Sequence, residues 1–355
     1  MEHCSNTQNH SGLWASRKGN ARILGVLIGL VALLAAGVAG YAIWTMTAQP
    51  TVVSPTNEDE TDDPQFQGMA KTESIEEILG AVQVYVRNQQ YGEATTVLEH
   101  AVAQYASDQE LRFALGDLYM HQTEHEKAYD QYIAGIEIGP QNAIAEFTAG
   151  TIANMLGRVE LSEMHYYSSM KLDPTNPDTP IFLAAIQLKL NQLDEAKKNL
   201  AIAGRLAPDR ARIFAMRSEI AMRENKATIA LEQIRRARDI EPRDLGWILQ
   251  EARVLKRNHD PEGAITLLTA LPEEDLLIAD TALILAECYG MVGRPGDAAS
   301  RLIDVAQLNP QDSQLAFQIA QWLERASERE TAIEWASKAD MLGHPQASDW
   351  IDSLP

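Results

Sequence analysis

Small residues recur along this chain at a fixed interval. Stepping by 34 from Ala94 gives Ala128, Ser162, Ala196, Ala230, Ala264, Ala298 and Ala332. Apolar residues follow four positions later: Leu98, Tyr132, Tyr166, Leu200, Ile234, Leu268, Leu302 and Ala336. A second small series precedes the first by twelve, at Gly116, Gly150, Ala184, Ser218, Ala252, Ala286 and Ala320, with Val82 the exception. Around these anchors apolar residues return at steps of three and four, the spacing of one helical face. Prolines at Pro140, Pro174, Pro208, Pro242 and Pro310 fall at one phase, where they end a helix. Each unit therefore reads as two short amphipathic helices held close by the small residues. A register without insertion predicts a repeat architecture, whose function is binding over an extended surface.

Units counted from 75, 109, 143, 177, 211, 245, 279 and 313 fill residues 75–346. The pattern resembles the tetratricopeptide repeat, best in the second unit, where Leu115, Gly116, Tyr119, Ala128, Tyr132, Gly135 and Pro140 stand at signature positions. The resemblance implies an all-α fold, a right-handed α-solenoid of eight 34-residue repeats (75–108, 109–142, 143–176, 177–210, 211–244, 245–278, 279–312, 313–346), with 347–355 as a cap. Three departures stand out: Ser162 for alanine, Arg217 where leucine is usual, and Pro272 four positions early, which shortens one second helix.

The resemblance also implies a peptide-binding face formed by positions 2, 5, 9, 12 and 13 of the first helices. Lys189, Arg212, Arg223, Arg253, Lys256 and Arg257 occupy it in repeats 4 to 6, a basic stretch in a chain of formal net charge −20. Arginine binds carboxylates bidentately, so an acidic peptide is the expected ligand. Met120, Met155, Met222 and Met291 fall on the same face, and Phe113 and Phe147 hold position 5 of their repeats. Methionine surfaces adapt to varied apolar side chains. The carboxylate clamp of chaperone-binding relatives is not reproduced, since Phe113, Phe147 and Ile181 take a position it needs.

Before the repeats lies Ile23–Trp44, 22 residues without a charge. As a helix this run spans about 33 Å, against a hydrocarbon core of about 30 Å, so 23–45 is expected to cross a membrane. Arg17, Lys18 and Arg22 precede it, and the next basic residue is Lys71. The positive-inside rule places 1–22 in the cytoplasm and the repeats beyond a bacterial inner membrane, in the periplasm. Gly25 and Gly29 form a GxxxG face suited to dimerisation of the helix. Residues 46–73, with Pro50, Pro55, Pro64 and five carboxylates from Glu58 to Asp63, read as an acidic linker.

The charge excludes nucleic acid as a partner, because phosphates require a basic surface. Cys4 and Cys288 fall on opposite sides of the expected membrane, so no disulfide is expected. No cofactor, metal or catalytic residue is proposed. The sequence points instead to a membrane-anchored scaffold for protein or peptide partners, similar in layout to subunits that assist cytochrome c maturation, translocation or envelope assembly. Two alternatives remain open at this stage. One is an import-type receptor of mitochondria facing the cytosol; the other is a zinc hydrolase built on His121, Glu124 and His125, which fit H-x-x-E-H.

Overall fold

The computed structural model describes residues 74–354, in which helices joined by short turns are the regular structure, with no strand among them. The expected cytoplasmic segment, membrane helix and acidic linker, with Cys4, lie outside the described residues. Among those residues no helix is long and apolar enough to cross a membrane. Two compact units divide between Gly139 and Pro140.

The first unit contains two helical hairpins, α1 (Ile75–Arg87) with α2 (Tyr91–Gln104) and α3 (Gln109–His121) with α4 (His125–Ile138). Ser74 opens α1 with a capping box: its hydroxyl accepts from the Glu77 N–H while the Glu77 carboxylate accepts from the Ser74 N–H. Asp108 caps α3 by accepting from the Leu111 N–H at 2.9 Å.

The second unit repeats the arrangement. Its hairpins are α5 (Ala143–Met155) with α6 (Val159–Leu172), α7 (Asp178–Lys189) with α8 (Leu193–Leu206), and α9 (Ala211–Arg223) with α10 (Ala227–Ile240). Then come α11 (Leu245–Arg257) with α12 (Pro261–Thr269), α14 (Ala279–Met291) with α15 (Pro295–Leu308), and α16 (Ser313–Arg325) with α17 (Arg329–Met341). A single turn, α13 (Glu273–Leu276), follows α12, and α18 (Ala347–Ser353) packs on α17. Helix α12 has nine residues where the second helices of its neighbours have fourteen. Pro272 is the reason: it offers no N–H to extend the helix and instead stands as N-cap of α13.

The small residues lie at the helix contacts. All seven alanines of the 34-residue series, and Ser162, are completely buried. Ser162 fits among them because its hydroxyl donates to the Gly150 carbonyl at 2.7 Å, so the buried polar atom is satisfied. Arg217 also finds a place. Its guanidinium donates to the Leu200 carbonyl at 3.0 Å, over a gap left by Gly204.

Every hairpin turns through one left-handed residue, and these too are 34 apart: Gln89, Thr123, Gly157, Asn191, Asn225, His259, Gly293 and Ser327. Their φ values lie between 58° and 74°. The residue after each returns a hydrogen bond to the carbonyl five positions back, as Glu124 does to Tyr119 at 2.8 Å. This is a Schellman closure, which forces the left-handed step whatever side chain occupies it. A β-branched residue is strained there, so Thr123→Gly is expected to stabilise the first unit by about 1 kcal/mol. Thermal unfolding checks this; a lowered midpoint would mean that the Thr123 hydroxyl contributes more than the strain costs.

Candidate functional site

Positions 9, 12 and 13 of a first helix fall on one side of it, because steps of three and four return to the same face. In the second unit, first helices of successive hairpins touch one another, α9 against α11 and α11 against α14. Their exposed faces form an open cleft of about 790 Å³. Helix α11 supplies Arg253, Lys256 and Arg257, and α14 supplies Glu287, Gly290 and Met291. Met222 of α9 closes one end; Trp322 and Arg325 of α16 close the other.

Four cations thus face one carboxylate, and their bonding differs. Lys256 pairs with Glu287, and Arg253 with Asp280 at 3.2 Å. Arg257 donates to a neutral acceptor, the Asn225 amide oxygen, at 3.1 Å. The Arg325 guanidinium lies 4.5 Å from the centre of the Trp322 ring, a cation–π contact. Neither of these last two is neutralised by a carboxylate among the described residues. The cleft can therefore attract anions, and Met222, Met291 and Trp322 give it an apolar floor. On the inner side of α14, Cys288 is buried, and burial pushes its thiol up to about 11, so it is not a nucleophile at neutral pH.

Of the residues singled out by sequence, Arg253, Lys256 and Arg257 meet in this cleft. Lys189, Arg212 and Arg223 lie elsewhere in the second unit and bridge its hairpins. Lys189 donates to Asn154 at 2.7 Å, Arg223 to the Leu188 carbonyl and to Glu219, each at 2.5 Å, and Arg212 sits 4.9 Å over the Phe182 ring. Met155 is exposed on α5. The aromatic part of the expected groove requires correction. Phe113 is buried against Tyr132, filling the slot left by Gly135, and Met120 is buried as well. Phe147 packs with Tyr166 and Phe182 at ring separations of 5.2 and 5.1 Å. These rings build the core. Conversely, the sequence reading missed Glu287, Gly290, Trp322 and Arg325; Arg325 was within reach, since it stands at position 13 of its repeat.

The H-x-x-E-H match does not form a metal site of the kind its spacing suggests. His121 ends α3, Glu124 precedes α4 and His125 begins it, with left-handed Thr123 between. The two histidines therefore belong to different helices, whereas the motif needs both on one. His121 is stacked on Tyr91, with ring centres 3.9 Å apart. Among the described residues no group of three His, Cys, Asp or Glu side chains could hold a metal ion.

Sequence models described as tetratricopeptide repeat match residues 79–143 and 157–220. The fold agrees. A tetratricopeptide repeat protein from Parabacteroides merdae superposes with a TM-score of 0.54 at 14% identity, over 69% of this chain and 97% of that one. The anaphase-promoting-complex hetero-tetramer Cut9-Hcn1 gives 0.50 at 15% identity, over 79% of this chain and 56% of the other. YrrB, a tetratricopeptide-repeat protein with an unusual peptide-binding site, gives 0.45 at 17% identity, covering 48% and 88%. No curated protein matches the sequence. Residues 79–143 and 157–220 are thus tetratricopeptide repeats, and the fold around them is of the same kind. Such repeats are protein-binding scaffolds, typically without enzymatic activity of their own.

Proposed function

We propose that this protein is a membrane-anchored adaptor of the bacterial envelope, in which eight tetratricopeptide repeats hold a protein partner for assembly or maturation. The observation that carries the reading is the cationic cleft on α11, α14 and α16 in a chain whose net charge is −20. A partner bearing carboxylates is attracted there and repelled by most of the remaining surface. The uncharged run Ile23–Trp44 and the basic residues before it support an anchor with the repeats in the periplasm.

Two measurements test the two halves. A reporter active only outside the cytoplasm, fused after Pro355, is expected to be active; activity of a cytoplasm-only reporter there would overturn the orientation. Crosslinking capture followed by mass spectrometry tests recognition. Arg257→Glu with Arg325→Glu is expected to lose the partners held by the native chain, and the native interaction to weaken with salt, since exposed charges are screened over about 10 Å at 0.1 M. Both residues are exposed and neither pairs with a carboxylate among the described residues, but the substitutions give up the Asn225 hydrogen bond and the contact on the Trp322 ring, so stability is expected to fall by about 1–2 kcal/mol, with circular dichroism checking that the double variant stays folded. Unchanged partners on a folded double variant would remove the cleft as the recognition surface.

A further inference from the structure

The floor of the cleft has a construction that charge alone does not require. Gly290 lies directly under the Trp322 ring: a Cβ built on Gly290 would come within 2.2 Å of the indole. The ring therefore occupies the space that a side chain at this position fills, and part of its surface stays accessible. Beside it, Met291 is 50% exposed although it is large and apolar. Two guanidinium groups without a carboxylate partner among the described residues, Arg257 and Arg325, stand with this apolar surface in the same cleft.

We infer that the cleft is a two-part recognition site for an extended acidic segment of a partner protein, one that carries a large apolar side chain between carboxylates. The apolar side chain lies on Trp322, Met291 and Met222. Its flanking carboxylates reach Arg257 and Arg325, which bind them bidentately. Each half explains what the other leaves over. Burying an aromatic side chain on the floor removes exposed apolar surface from water, which favours binding. Carboxylates on the rim neutralise cations that have no carboxylate partner among the described residues. A purely acidic ligand leaves the methionines and the indole wet, and a purely apolar one leaves the guanidinium groups uncompensated. Met222 and Met291 are flexible, so they fit aromatic and branched side chains alike. This inference rests on the cleft being the recognition surface proposed above.

The test uses the full-length chain in detergent micelles and short fluorescein-labelled peptides with amidated C-termini. One peptide carries phenylalanine between pairs of glutamates, a second has serine for the phenylalanine, and a third has glutamines for the glutamates. Anisotropy titrations are expected to show the first binding about tenfold more tightly than either of the others. Trp322→Ala is expected to erase the phenylalanine–serine difference, and Arg257→Gln with Arg325→Gln the glutamate–glutamine difference. Because Trp322 is partly buried and its loss could loosen α16, Met291→Ser serves as a second floor variant; its exposure makes it safe for the fold, with circular dichroism as the check.

Equal binding of the phenylalanine and serine peptides, or binding of none of them, would overturn the inference. So would a phenylalanine–serine difference that survives both floor substitutions in folded protein. Partner capture separates this failure from that of the wider reading. If capture depends on Arg257 and Arg325 but ignores Trp322 and Met291, the adaptor stands and the apolar half falls.

Discussion

Ala196→Leu is expected to destabilise the second unit by about 1–3 kcal/mol, the cost of forcing extra methylenes into a close-packed contact. Ala196 is completely buried in α8 and belongs to one apolar cluster with Ile181, Leu188, Leu200 and Ile213. Leucine there has no free volume, so α7 and α8 must separate or a neighbour must leave its rotamer. In a repeat fold each hairpin is coupled mainly to the next. Hydrogen exchange should therefore show lost protection spreading from α7 and α8 into α9, while α16 and α17 keep theirs. Unchanged thermal unfolding would mean that the hairpin contact is looser than the burial indicates.

Stability of the first unit is expected to fall as pH rises through the range of about 4 to 6, because of Asp117. Burial raises its carboxyl from 3.8 to about 6, only partly offset by the Tyr132 hydroxyl donating to it. Below about pH 4 the group is protonated in both folded and unfolded chains. Between there and about 6 the unfolded chain has released a proton that the folded chain still holds, so raising the pH favours unfolding. Each pKa unit corresponds to about 1.4 kcal/mol, and the residue retains some solvent access, so the penalty at neutral pH is about 1–3 kcal/mol. Asp117→Asn removes the titration. The variant should be more stable than the native chain at pH 7, with the gap closing towards pH 4, as read from urea midpoints. A gap independent of pH would show that Asp117 does not titrate in this range.

Much of the fold was legible because it depends on residue volume. A position such as Ala230 or Ala298, buried between two helices, admits only a small side chain, and that restriction repeats with the structure. The turns were not legible. Gln89, Thr123, His259 and Ser327 have no preference for a left-handed backbone strong enough to mark a turn, and the hydrogen-bond frame imposes it on them. The aromatics were misread for a related reason. Position 5 was assigned to an open face by resemblance, but whether a ring there lies outward depends on its neighbour across the hairpin. Gly135 offers Phe113 a slot, and the ring fills it. The basic half of the cleft was legible through Arg253, Lys256 and Arg257. Its aromatic half was not, because Trp322 enters from position 10 of another repeat and acts only where Gly290 lies beneath it.

The bonds between hairpins carry a consequence for how this surface can diverge. Arg223 reaches the Leu188 carbonyl, Arg257 reaches Asn225, Lys256 reaches Glu287 and Arg253 reaches Asp280, each crossing from one hairpin to its neighbour. In the cleft, residues that offer charge to a visitor are also rungs between successive turns of the array. A substitution that retunes affinity there also alters the spring constant between two hairpins. Specificity and stiffness are therefore inherited together, and a lineage that changes its partner by drift at these positions also changes how readily the array flexes.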